Sequence, residues 1–330
     1  MSKRNTIILA LLFVIFVVEL IILAPDELGL SPSEPEEAAV PRPDGNEAGQ
    51  VMNGLHLVEA KGEKKEWELW ADRAVRPKEG EQWTIERVKV RFFGKDGVTF
   101  TVTGKTGHVT PEQNAMRIEG DVETRSSNGY IFRTQSAFYD SANRKLISPN
   151  EVEMTGPPES ADRNINLTGA DMVADLASND IAVNRSVRAK KRVMAAGKAD
   201  RHATIQSQRA IFNGKTNLAQ FFGNVIIDMD TMQISGPTAK FAFDPKSDAL
   251  QSIQVGGGVR VTDTDKFATS GTVSLDVQED KVVFSGSPRV VQNGDELVGD
   301  KITLLDGGRR VQVSNAKAQI IDTKQMEKSN

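Results

Sequence analysis

The sequence contains no cysteine and only three histidines, at positions 56, 108 and 202. A disulfide framework, a thiolate zinc site, an iron–sulfur cluster and a cysteine nucleophile are therefore excluded. Histidine pairs at metal-binding spacing, a catalytic triad and a convergent set of carboxylates are also missing, so we expect no enzyme activity, no cofactor and no metal site. The 41 lysines and arginines are outnumbered by 45 acidic residues, which excludes a strongly basic nucleic-acid-binding protein.

Long apolar runs are scarce as well, and the one that stands out is Ile7–Ala24, in which Glu19 is the single polar residue. An α-helix of this length spans about 27 Å, close to the thickness of the hydrocarbon layer. Two basic residues precede the run and two acidic residues follow it, so the positive-inside rule places the N-terminus in the cytoplasm. We predict that residues 1–24 form a single-pass anchor. A cleavable signal peptide is the alternative, although its apolar run is usually only about 7–15 residues long.

Glu19 allows two interpretations, because a carboxyl group inside a membrane is costly. It contacts another membrane protein, or it lies near enough to the outer interface to reach water. The following segment, residues 25–50, holds five of the 13 prolines and has a net charge of −6. This composition predicts an extended acidic linker.

From about residue 51 the sequence consists of short alternating apolar runs separated by polar turns, which is typical of antiparallel β-structure. One phrase recurs, with a polar or small pivot residue followed by alternating apolar residues; the pivots stand at positions 104, 135, 169, 207, 236, 271 and 299. The spacing of these pivots leaves room for two long strands in each repeat. Such repeats would stack into two facing sheets, with bends at the central small residues. The pattern predicts an all-β protein, an elongated, open-ended antiparallel β-jellyroll that follows one N-terminal transmembrane helix.

The ordered phrases of this body resemble those of a known family of proteins. Residues 51–189 resemble LptC, the bitopic inner-membrane component of lipopolysaccharide export, through WELWADRA at 67–74, VKVRFFGKDG at 88–97, TGKTG at 103–107, MRIEGDV at 116–122, FRTQSAFYD at 132–140 and LISPNEVEMTG at 146–156. Residues from about 196 to 325 resemble the LptA/OstA bridge domain, through AIFNGKTNLAQFFGNVIID at 210–228, ISGPTAKFAFD at 234–244, LQSIQVGGGVRV at 250–261 and VVFSGSPRVVQ at 282–292.

The resemblance implies an LptC-like module at 51–195, an LptA/OstA-like module at 196–325 and a polar tail at 326–330. It also implies a function: the chain receives lipopolysaccharide from an LptB2FG-type ABC transporter and passes it along an apolar groove toward the outer membrane. The implied location is the inner membrane, with the body in the periplasm and an LptA- or LptD-like jellyroll docked at the C-terminal edge. A membrane-anchored structural β-scaffold without lipid cargo is the alternative.

Alternating apolar residues of both modules are predicted to face inward, where they would contact the acyl chains of lipid A. They are Trp67, Leu69, Val88, Val90, Phe92, Phe100, Met116, Ile118 and Phe132 in the first module, and Phe221, Ile234, Phe241, Phe243, Ile253, Phe267, Leu275 and Phe284 in the second. Packing in a closed core is the simpler interpretation of such residues.

Two further segments are candidates for binding. The basic run from Arg188 to Arg201 lies at the predicted module boundary, where it either contacts lipid A phosphates or forms a solvated connection. The last strand-like run, Val311–Ile321, is the natural free edge for a partner strand. There Val311 and Val313 would continue the apolar face, and Glu19 is the candidate contact with the transporter.

Overall fold

The computed structural model describes residues 48–94, 97–110, 115–156, 165–193, 201–246, 249–264, 266–292, 295–305 and 308–319. Every regular element among them is a β-strand, which confirms the predicted all-β class. No helix among these residues is long and apolar enough to cross a membrane. The predicted anchor, Glu19, nearly all of the predicted linker and the predicted tail lie outside the described residues.

The described residues form 21 strands. In chain order they are β1 (Ala48–Lys61), β2 (Lys64–Pro77), β3 (Trp83–Phe93), β4 (Thr99–Thr110), β5 (Ala115–Ser126), β6 (Ile131–Asp140), β7 (Lys145–Thr155), β8 (Ile165–Asp175), β9 (Asp180–Val193), β10 (Arg201–Ser207), β11 (Arg209–Asn213), β12 (Leu218–Met229), β13 (Met232–Phe243), β14 (Leu250–Thr262), β15 (Lys266–Asp276), β16 (Lys281–Ser285), β17 (Arg289–Gln292), β18 (Asp295–Val298), β19 (Lys301–Leu305), β20 (Arg310–Ser314) and β21 (Lys317–Gln319).

The strands pair in an antiparallel meander that is continuous across the predicted module boundary. Each strand from β1 to β8 pairs with the next one along the chain. Strand β9 then pairs with both β10 and β11, which together pair with β12. The pairing continues strand by strand from β12 to β15, which pairs with both β16 and β17. From there β16 pairs with β19 and β19 with β20, while β17 pairs with β18 and β18 with β21. Backbone hydrogen bonding thus joins the two halves of the chain into one ladder.

Most of the long strands are bent near their middle, where the pairing breaks or shifts in register. The register of β4 and β5 shifts between Thr103 and Thr106, and that of β12 and β13 shifts between Phe222 and Val225. A row of residues with positive φ accompanies these breaks: Arg87, Asp121, Asp171, Ser186, Asn224 and Ser287. We call this row the bend line. It divides the strands into two parts, whose inner faces pack on each other.

Glycines at several predicted pivots allow close approach between neighbouring strands. A Cβ atom on Gly169 would lie 2.5 Å from Cγ1 of Val183 and 3.1 Å from the carbonyl oxygen of Arg185. The bend therefore depends on the missing side chain, as the sequence pattern predicted.

The substitution Gly169→Ala tests this packing. We expect a loss of about 1–3 kcal/mol in the free energy of unfolding, because Val183 and the backbone must move to admit the methyl group. Gly256→Ala is the matched control, since its nearest neighbours would be 3.7 Å and 3.8 Å away, and we expect a change of less than about 0.5 kcal/mol. Thermal unfolding of the two variants tests this expectation. Equal melting temperatures would contradict the close packing at Gly169.

Candidate functional site

The interior contains two clusters of buried apolar side chains. The first cluster runs from Leu69 to Leu176, and the second runs from Phe132 to Ile302. The second includes Phe132, Met154 and Leu167 together with residues of β10 to β19, so it crosses the predicted module boundary. An apolar interior therefore continues from the first half of the described chain into the second.

Most of the residues predicted to face inward are buried in these clusters. They are Leu69, Val88, Val90, Phe92, Phe100, Met116 and Ile118 in the first cluster, and Phe132, Phe221, Ile234, Phe241, Ile253, Leu275 and Phe284 in the second. Trp67 and Phe243 are half-buried and pack against the first and second cluster, respectively. Their contact with lipid stays a prediction.

Phe267 departs from the predicted orientation. On β15 the buried residues are Ala268, Ser270, Val273 and Leu275, so the alternation changes phase at the bend around Gly271. Phe267 consequently lies on the outer face, with the guanidinium carbon of Arg260 5.4 Å from its ring centroid. The prediction that it faces inward is wrong, because counting back from Leu275 ignores this change of phase.

Opposite the bend line, the two ends of the strands face each other along what we call the seam. Successive turns of an antiparallel meander alternate between two strand ends. The β1–β2 and β3–β4 turns therefore share one end, and the β6–β7 turn lies at the other. Arg144 in the β6–β7 turn nevertheless pairs with Glu66 at 3.0 Å and donates a hydrogen bond of 2.9 Å to the carbonyl oxygen of Phe93. The sheet is thus folded so that its opposite ends meet.

This contact between Glu66, Arg144 and Phe93, which we call the clasp, closes the seam over the first cluster. Beneath it Tyr139 is 3 % exposed and packs on Phe92 with ring centroids 4.6 Å apart. Burial raises the pKa of Tyr139 to about 12, against an ordinary value of 10. Burial likewise raises the pKa of Glu59, an inward-facing residue of β1 whose carboxylate accepts a hydrogen bond from Trp67. The side chains beneath the clasp are therefore shielded from solvent.

Farther along, the seam opens into a cavity of about 370 Å³, which we call the mouth. Its walls come from both strand ends, with Phe100, Tyr130 and Phe132 on one side and Phe212 and Phe243 on the other. The aromatic wall continues inward, since the ring of Phe221 lies 6.0 Å from that of Phe212 and 5.1 Å from that of Phe241. An apolar chain of a ligand would therefore find aromatic contacts from the mouth to the second cluster.

The basic run of the predicted boundary is divided by strand alternation. Arg188 and Lys190 are exposed on the outer face, whereas Lys191 is 5 % exposed and follows the buried residues Val187 and Ala189 on the inner face of β9. The ammonium group of Lys191 lies 5.4 Å from the ring centroid of Phe243. A solvated connection therefore does not describe Lys191, and counting alternation from Val187 would have separated it from its exposed neighbours. Contact of the run with lipid A phosphates stays a prediction. The side chains beyond Lys191 in this run lie outside the described residues.

The candidate partner residues Val311 and Val313 lie on β20, which pairs with β19. Val311 is 50 % exposed, and Val313 is half-buried against the second cluster. The predicted run Val311–Ile321 is interrupted, because Asn315 has a φ of 54° and separates β20 from β21. Within the described part of the chain, no second strand pairs with β20. Its outer edge is therefore free there for a partner strand.

Among the described residues, no group of three or more histidine, aspartate or glutamate side chains could hold a metal ion. A polar cleft lined by Arg133, Arg185 and Arg188 mixes these charges with acidic residues such as Glu123 and Glu151.

Comparison with known proteins gives two family matches. The family described as lipopolysaccharide-assembly, LptC-related, matches residues 9–192, and the family described as LptA/(LptD N-terminal domain) LPS transport protein matches residues 204–306. Among solved structures, the chain is similar to LptH from Pseudomonas aeruginosa, described as the LptA homologous periplasmic component of the lipopolysaccharide transport device. The identity is 18 % and the TM-score 0.33, over 36 % of this chain and 94 % of that one. No curated protein sequence matches the chain.

Proposed function

The chain belongs to the LptC-related lipopolysaccharide-assembly family and carries an LptA-like domain behind it, and we propose that it is a lipopolysaccharide bridge built from both. The observation that carries the proposal is the continuity of the interior. Backbone pairing of β9 with β10 and the second apolar cluster both cross from one matched region into the other. Such a path would let a lipid move between the two regions without returning to water.

The physical chemistry of lipopolysaccharide fits this groove. Its acyl chains gain about 0.8 kcal/mol for each methylene removed from water, so they need an apolar lining along the whole path. Its sugar chain must stay hydrated, so the path has to be open along one side. The seam meets both requirements at the mouth, where it is open. Over the first cluster, the clasp would have to open to let the sugar chain pass.

The proposal includes the partners and the place of the chain. Residues 1–24 would anchor it in the inner membrane with the N-terminus in the cytoplasm, and the strands would lie in the periplasm. An LptB2FG-type ABC transporter would deliver the lipid, with Glu19 as a candidate contact. We also propose that the modules meet at residues 195 and 196, that the jellyroll is elongated and open-ended, and that an LptA- or LptD-like jellyroll docks on β20.

Association with a transporter separates this bridge from a structural scaffold without lipid cargo. We expect the full chain, purified from its native membranes in mild detergent, to retain an ABC transporter, because a bridge has to receive its lipid from one. The Glu19→Leu variant should retain less of the transporter while inserting normally, since leucine favours the bilayer over an acid by a few kcal/mol. Recovery of the wild-type chain without any transporter would favour the scaffold.

A further inference from the structure

The clasp contains an arginine at a turn position that disfavours this residue. The turns before β7, β9, β12 and β16 each have four residues, and each ends on a residue with positive φ: Arg144, Asn179, Asn217 and Asp280. Asparagine and aspartate tolerate this left-handed conformation, whereas arginine adopts it at a conformational cost. The turn itself therefore gives no reason for an arginine at position 144, and the reason lies in what its side chain contacts.

The side chain of Arg144 reaches across the seam. Its guanidinium group pairs with Glu66 of β2 at 3.0 Å and donates a hydrogen bond of 2.9 Å to the carbonyl oxygen of Phe93 at the end of β3. The backbone also comes close to the opposite strand end at Gly94, where a Cβ atom would lie 3.3 Å from Oδ1 of Asn179. The seam over the first cluster is thus closed by the polar contacts of one arginine, beside a glycine that lets the two ends approach.

The closed clasp is held by few groups, and one of them is poorly satisfied. Within the part of the chain that the structure describes, Nε of Arg144 is buried without a hydrogen-bond partner, which disfavours the closed state. The side chains of Arg144 and Glu66 are both partly exposed, and an ion pair that water reaches gains little over the two hydrated groups. The clasp can therefore open while the strands on both sides of it stay paired.

We propose that the clasp is a gate in the lipid path, closed over the first cluster at rest and opened by a passing sugar chain. The proposal rests on the proposed function, in which acyl chains move inside the groove while the hydrated sugar chain projects through the seam. The mouth needs no such gate, because the seam is already open there. Arg144 is a positioning residue of the closed state, in which Phe92 and Tyr139 are shielded from water.

The accessibility of Tyr139 measures opening of the gate without any lipid. The chain has two tyrosines, so Tyr130 at the mouth is an internal reference for Tyr139 beneath the clasp. Arg144→Asn suits the turn and removes both clasp contacts. We expect it to make nitration of Tyr139 by tetranitromethane about tenfold faster relative to Tyr130, with little change in melting temperature, because a charge-assisted hydrogen bond is lost. Arg144→Lys, which retains the charge, should show a smaller increase. An unchanged ratio of the two rates in Arg144→Asn would overturn the proposal.

Locking the clasp tests its role in transport. The chain contains no cysteine, so Glu66→Cys and Arg144→Cys together provide one pair of thiols across the seam. A bis-maleimide with a reducible spacer joins the two thiols in membrane vesicles that contain the full chain, lipopolysaccharide and the ABC transporter. A photoreactive phenylalanine analogue at Phe241 reports lipid that has passed the clasp. We expect joining to abolish ATP-dependent capture at Phe241 and reduction of the spacer to restore it. Each single cysteine variant, treated in the same way, should show normal capture.

The gate and the proposed function fail in different ways in these experiments. Undiminished capture at Phe241 in the joined protein would overturn the gate and leave the bridge intact. Absence of capture at Phe241 in the chain without cysteines would refute the proposed function instead. The nitration rates of Tyr139 would still decide whether the clasp closes the seam.

Discussion

Proline at position 311 will abolish docking of a second jellyroll on the C-terminal edge, while the rest of the chain stays folded. A partner strand adds to a sheet through the free N–H and C=O groups of the edge strand, and proline has no N–H to offer. Val311 is half exposed, so its replacement removes little packing.

The direction of the backbone groups on β20 follows from one hydrogen bond. The N–H of Asp300 donates to the carbonyl oxygen of Ser314 at 3.0 Å, so Ser314 directs its carbonyl toward β19. In an antiparallel ladder, residues two apart direct their backbone groups the same way. Gln312 therefore also faces β19, and the backbone groups of Val311 and Val313 face the free edge.

Two controls separate docking from folding in this experiment. Val311→Ala keeps the N–H and should dock as well as the wild-type chain, as measured by pull-down of an LptA- or LptD-like jellyroll. Gln312→Pro removes an N–H that faces β19 and should lower the melting temperature, which Val311→Pro should not do. Undiminished docking of the Val311→Pro variant would place the junction elsewhere on the chain.

The fold could be predicted from the sequence because strand alternation and turn residues are local signals. The alternation around Phe92 and Phe221 is regular, and both side chains are buried where it predicted. The family resemblance was visible in the same way, since it depends on ordered phrases along the chain. Local patterns of this kind can be recognised without knowing which strands pair.

Errors arose where a bend changes the phase of the alternation. Where one residue is left unpaired at the bend, the side chains that face inward change from one set of alternate positions to the other. This happens on β15, where Ala268 precedes the bend and Leu275 follows it. Where two residues are left unpaired, the phase of the alternation is unchanged, as on β12, where Phe221 and Val225 are both buried. The sequence shows a polar or small residue at each pivot but does not show how many residues are left unpaired there. Phe267 was misassigned for this reason.

The seam could not be predicted at all, because it depends on contacts between distant strand ends. Glu66 and Arg144 are 78 residues apart, and no local pattern connects them. The mouth likewise depends on which turns face each other, so Lys191 was indistinguishable from its exposed neighbours within a basic run. Tertiary geometry alone separates a lysine inside a groove from a lysine on a solvated strand.

The largest effect expected along the groove is selective capture of lipopolysaccharide by inward-facing positions. A photoreactive phenylalanine analogue at Phe132 or Phe241, which are 3 % and 2 % exposed, should be joined to the lipid during transport. The same analogue at Phe138, which is 38 % exposed on the outer face of β6, or at Phe267 should not be joined to it. Phe132 and Phe138 form a matched pair, since they share a strand and face opposite ways.

The most direct test of the bridge uses these four positions in membrane vesicles that contain the full chain, lipopolysaccharide and the ABC transporter. ATP is supplied or withheld before illumination, and the lipid-joined protein is measured on immunoblots by its shift in mobility. The account predicts that ATP produces the joined product at Phe132 on β6 and at Phe241 on β13, with none at Phe138 or Phe267. Equal capture on inner and outer faces, or capture that does not depend on ATP, would contradict it.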